Sequence, residues 1–142
     1  MNADAWNQLA QHSRALVHHA SRLMGVLTLP AGRCDDQVLR PIAADTIEAV
    51  DALLAEMRWA PELSAHIRTI ERFDGALAAW RRAVTDASPL AQRYQTALLQ
   101  QAAQVIMSCL HVESLSTSES ARVYVTRRDV VLPPDRRRTE GH

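Results

Sequence analysis

Between residues 63 and 84 the sequence sets Leu63, Ile67, Ile70, Phe73, Leu77, Trp80 and Val84 at intervals of three and four. All seven are apolar, and that spacing brings them onto one side of an α-helix, since 3.6 residues complete a turn. A helix with such a stripe must bury it against other elements. The rest of the chain has to supply them, and it supplies more helices. Trp6, Leu9, Ser13, Leu16, Ala20, Leu23 and Leu27 form a first seam, beginning near Asn2 or Asp4 as N-cap and ended by Pro30 and Gly32. Ala43, Ile47, Val50, Leu54 and Met57 form a second, starting at Asp35 or Asp36 or, after a kink, at Pro41. Pro61 restarts the chain for the stripe at 63–84, and Ser88–Pro89 caps and opens a fourth helix over about 89–113. Gly75 interrupts the third helix at a cost of about 1 kcal/mol relative to Ala.

Helices of about 19–26 residues are roughly 30–39 Å long and are joined here by short connections. The expected class is therefore all-α, an antiparallel four-helix bundle over residues 1–113. A chain of 142 residues fits one such domain. No apolar run reaches the ~20 residues of a membrane span, and the N-terminus lacks the unbroken apolar core of a signal peptide. The expected location is cytoplasmic, with no membrane partner. Cys34 and Cys109 belong to no CxxC pair, which suits a reducing compartment without settling whether they are free.

The fourth helix stands apart. From Pro89 to Val112 its one formal charge is Arg93, and its polar positions are mostly glutamine: Gln92, Gln95, Gln100, Gln101 and Gln104. Its apolar arc, including Leu98, Ala102, Val105, Ile106, Cys109 and Leu110, is wide. Either this helix is the most enclosed of the four, or its uncharged side, with Gln95, Gln100, Gln101 and Gln104, meets another molecule.

After residue 113 the character changes. "SLSTSES" and its flanks at 114–121 read as a polar linker, with Ser116 and Glu119 also at capping-box spacing. Residues 122–134 read as an extended basic tail, because β-branched residues favour strands, and residues 135–142 as a disordered terminus. Arg122, Val123, Tyr124, Val125, Arg127, Arg128, Val130 and Leu132 are the tail's candidate partner contacts. A lone strand cannot satisfy its own backbone, so pairing with another chain is one expectation. Residues 121–142 carry six Arg against three acidic residues, whereas residues 1–120 carry ten against thirteen, and the chain has no lysine.

Chemistry-bearing patterns are few. There is no G-x-G-x-x-G, P-loop or G-x-S-x-G sequence. His12 and His19 lie about 10.5 Å apart along a helix, Cys109 and His111 point apart at i,i+2, and Glu62 and His66 lack a second such pair. No metal and no cofactor is expected. Arg14 and His19 have R-x4-H spacing, which resembles the nuclease signature of HEPN-type helical ribonucleases; Arg14 here lies in the first helix and is followed by Ala15. The resemblance implies RNA cleavage with Arg14 and His19 at the site.

The leading expectation is a non-enzymatic binding protein of bacterial type: an adaptor, inhibitor, immunity factor or complex subunit. It would act through a protein partner or through self-association. The alternative is a nucleic-acid-binding small subunit of a ribonucleoprotein, with Arg68, Arg72, Arg81 and Arg82 joining the tail's arginines on phosphates. Overall neutrality weighs against that alternative, because sequence-independent binders are usually strongly basic.

Overall fold

The computed structural model describes residues 2–29 and 36–131, with side chains described for 2–29 and 37–123. Four α-helices follow in order: α1 (Ala3–Leu27), α2 (Asp36–Met57), α3 (Ser64–Thr85) and α4 (Ala91–Val131), with a 3-10 turn at Pro61–Leu63. There is no strand among the described residues, and the fold is an all-α bundle. No helix among these residues is long and apolar enough to cross a membrane.

Cross-helix contacts show that neighbours run antiparallel. Trp6 meets Trp59 edge-on at 5.5 Å, and Thr46 Oγ1 reaches the His19 carbonyl at 3.4 Å, so α2 descends beside α1. Gln95 Nε2 donates to the Leu27 carbonyl at 3.0 Å, while Arg14 Nε donates to Glu113 Oε1 at 2.9 Å. The start of α4 therefore lies by the end of α1. His66 and Ser108 meet across α3 and α4. The interface of α1 with α4 is the most extensive, and that of α2 with α3 is the slightest between chain neighbours.

The stripe of α3 is buried over most of its length, Leu63, Ile70, Phe73 and Leu77 fully, Trp80 nearly so and Ile67 partly, whereas Val84, expected to join it, is 41% exposed in the last turn. Leu9, Leu16 and Leu23 of α1 meet them with Val50, Leu53 and Met57 of α2. From α4 come Leu98, Ala102, Val105, Cys109 and Val112, spaced four and three apart like a coiled-coil seam. Asn2 caps α1, its side chain accepting from the Ala5 N–H at 2.8 Å. α3 ends at Thr85 through Ala87, whose φ of 52° is left-handed; the Ser88 N–H then returns to the Ala83 carbonyl at 2.8 Å.

Two expectations are corrected. Residues 114–121 are not a linker: they continue α4, with Ser116 fully buried as the next position of its inner seam. Residues 122–131 are helical, not extended. Ser120 shows why the helix persists, because its Oγ donates to Asn7 Oδ1 at 2.8 Å with the Ala3 carbonyl 3.5 Å away, and Val123 packs partly against the core. Tertiary contacts outweigh the strand preference of this segment. Leu132, residues 132–142 and Cys34 lie outside the described residues, as do the side chains of Tyr124, Val125, Arg127, Arg128 and Val130.

α4 thus has 41 residues against 22–25 in the other helices, about 62 Å against roughly 33–38 Å. The first turn of α1 stands beside Ser120. α4 then continues for eleven residues to Val131, about 16 Å of further helix that runs past the start of α1.

Candidate interaction surface

The inward side of α4 fills the core, and its outward side is unlike that of any other helix here. Thr96, Gln100, Ala103, Met107, Leu110, Ser114, Thr117 and Ala121 are all exposed. They form one outer seam along α4; the exposed positions of α1, α2 and α3 keep the same spacing of three and four, so what sets this seam apart is its chemistry. Nothing on it is charged. Met107 is 69% exposed and Leu110 46%, the former the most exposed large apolar side chain among the described residues. Scattered exposed apolar residues are ordinary; here Met107 and Leu110 lie three residues apart on one uncharged seam. By contrast, exposed positions of α2 and α3 include Asp45, Glu48, Asp51, Arg68, Glu71 and Arg72.

The four candidate glutamines separate by role. Gln100 lies on the outer seam and Gln104 beside it, both exposed. Gln95 is occupied internally by its bond to Leu27. Gln101 is half-buried, and its Oε1 is enclosed without a hydrogen-bond donor among the described residues. Met107 and Leu110 were absent from the sequence-derived site, although counting in sevens along α4 finds both seams.

The arginines of α3 are exposed but do not form one patch. At 100° per residue, Arg68, Arg72 and Arg82 share a side with Glu71 among them, whereas Arg81 turns away. Arg81 borders a half-open cavity of about 430 Å³ between α2 and α3, with Leu39, Arg40, Ala43, Trp80 and Val84. The Trp80 Nε1 is buried and meets no acceptor among the described residues.

Arg14 and His19 take different neighbours. Arg14 reaches across to Glu113 of α4, while His19 borders a shallow groove with Ala15, Asp45, Glu48, Ala49 and Ala52 on the α2 side. The His19 Nδ1 is enclosed without a partner among the described residues, and its ring stands edge-on to His18 at 5.3 Å. The two residues of the R-x4-H pattern do not converge on one site.

Titratable groups elsewhere cluster between helices. His66 Nδ1 and Ser108 Oγ share a hydrogen bond of 2.5 Å, and the His66 ring stands edge-on to that of His111 at 5.0 Å. Burial, and secondarily His111, holds the His66 pKa below the ordinary histidine value. Asp74 is pushed the other way, above the ordinary carboxylate value, by burial and then by Asp51 and Glu71. Cys109 is a free thiol in the core whose pKa burial pushes up to about 12, leaving it protonated and unreactive. Among the described residues no three His, Cys, Asp or Glu side chains are placed to hold a metal ion. The chain matches no protein-family profile, and neither a curated protein nor a solved structure is significantly similar to it.

Proposed function

We propose that the chain is a non-enzymatic binding protein, an adaptor, inhibitor or complex subunit, that engages a protein partner through the outer seam of α4. The observation that supports this reading is the uncharged, exposed 3.5-residue stripe centred on Met107 and Leu110. Contact cores between proteins are depleted in charge and enriched in methionine and aromatic residues, with polar groups at the rim. Gln104 and His111 lie beside the stripe and provide amide and imidazole groups for that rim. The recognition mode is helix against helix, with anchors read at i, i+3, i+4 and i+7.

Affinity capture from the source cells, with the full chain and with Met107→Glu and Leu110→Glu variants of equal helicity, tests the reading. A protein retained by the native chain and lost from both variants supports it. Retention of the same proteins by all three, or of none by any, ends it.

A further inference from the structure

We propose that the cavity between α2 and α3 is a binding site for a small amphipathic oxyanion, a carboxylate or phosphate group on a compact apolar body. None of the residues that line it lies on α4, so the site is independent of the Met107–Leu110 surface.

The cavity forms at the slightest of the interfaces between chain neighbours, where the first turns of α2 pass the last turns of α3. Helix spacing places its residues. Leu39 and Ala43 stand four apart on α2, with Arg40 next to them. On α3, Trp80 and Val84 are four apart, and so are Arg81 and Thr85, giving an apolar row and a polar row side by side. The volume of about 430 Å³ falls within the range of small-molecule sites, about 300–1,000 Å³.

Burial grades the lining from floor to mouth. Ala43 and Trp80 are buried, Leu39 is half-buried, and Arg40 and Arg81 are exposed. Apolar surface therefore lies deepest, and the two guanidiniums stand nearest to solvent. Val84 holds the last place of the α3 stripe yet is 41% exposed, so this wall keeps apolar surface that the bundle itself does not cover.

Every hydrogen-bonding side chain in the lining is a donor. Arg40 and Arg81 are charged at any physiological pH, and each guanidinium matches two oxygens of a carboxylate or phosphate. The Thr85 hydroxyl adds a further donor. No carboxylate belongs to the described lining, and among the described residues no ion pair joins Arg81 to one. Trp80 supplies an independent observation. It is 3% exposed, and its Nε1 is enclosed without an acceptor among the described residues. A buried N–H without an acceptor costs free energy, and an oxygen bound at the floor of the cavity would satisfy it. Donors converging around an apolar floor select an acceptor-rich anion over a cation or a hydrocarbon.

NMR on the isotopically labelled full chain tests this, because its three tryptophans each give an indole N–H signal and Trp80→Phe assigns one of them. The probes are 3-phenylpropanoate, phenyl phosphate and the uncharged 3-phenylpropanamide. At least one of the two anions should shift the Trp80 signal saturably while those of Trp6 and Trp59 stay in place, and the tighter of the two identifies the head group. Arg40→Gln and Arg81→Gln should each raise its dissociation constant at least ~10-fold. Because the ligand joins α2 to α3, saturating anion should also raise the unfolding temperature, and less so in Arg81→Gln. Failure of both anions to move the Trp80 signal overturns the proposal. So does equal binding of the amide, or an affinity unchanged in both arginine variants. None of these outcomes bears on protein capture through Met107 and Leu110, so the two sites stand or fall separately.

Discussion

At the scale of single residues, several positions hold less than the best side chain, and the consequences are measurable. Gly75 lies inside α3, exposed, and a Cβ added there would meet nothing within 4 Å. Gly75→Ala should raise stability by about 0.5–1 kcal/mol, read as a higher denaturation midpoint at unchanged slope. Ala87 is the converse case: its left-handed φ of 52° suits glycine, and Ala87→Gly should stabilise by up to about 1 kcal/mol in the same assay. Ser116 is fully buried, and its Oγ lacks a hydrogen-bond partner among the described residues. Ser116→Ala should therefore be neutral or slightly stabilising, by no more than about 1 kcal/mol. A clear loss of stability in that variant would mean that its hydroxyl is satisfied by bound water. Such corrections matter against a total stability of only about 5–15 kcal/mol for a domain of this kind.

At the scale of elements, the seams between helices determine how stability changes with pH. His66 sits between α3 and α4 with its pKa held below the ordinary 6.5. The unfolded chain therefore takes up a proton at a higher pH than the native one. Native stability is whole above pH 6.5 and falls as the pH drops through that value, until the folded His66 also titrates. Urea unfolding at pH 7.5 and 5.5 should show a lower midpoint at 5.5, with the difference reduced in His66→Gln. Asp74 between α2 and α3 has the opposite sign, since a raised carboxylate pKa penalises the charged native form at neutral pH. Asp74→Asn should accordingly stabilise the protein at pH 7, by less than about 1 kcal/mol because the group is partly exposed.

The elements also show how far the sequence could be read. The stripe of α3 and the first seam of α1 were legible because large apolar residues occupy nearly every inward position. The last third of α4 was not. Its inner seam continues through Ser116, a polar residue that interrupts an apolar pattern, and Val123–Tyr124–Val125–Thr126 has the composition of a strand. This part is tied to the bundle by buried Ser116, by Val123 against the core and by the contact of Ser120 with Asn7, more than a hundred residues away in sequence. Local composition carries no trace of that contact. The outer seam was hidden differently. Leu110 belongs to the wide apolar arc of the fourth helix, and an apolar residue on such an arc gives no sign of facing outward.

At the scale of the whole molecule, α4 belongs to two surfaces. Its inner seam closes the bundle against α1 and α3, and its outer seam has the same period and no neighbour within the described chain. The account holds that this outer seam is covered by another protein when the chain works. Methionine oxidation measures that cover directly, because a thioether reacts only where oxidant can reach it. Met107 is 69% exposed in the isolated chain whereas Met57 is fully buried. A short peroxide pulse, followed by mass spectrometry, should oxidise Met107 rapidly in dilute purified protein. In intact source cells Met107 should be protected, its oxidation slowed at least ~10-fold relative to a free methionine peptide treated alongside. Equal oxidation of Met107 in both settings would contradict the claim that this face of α4 is a contact surface.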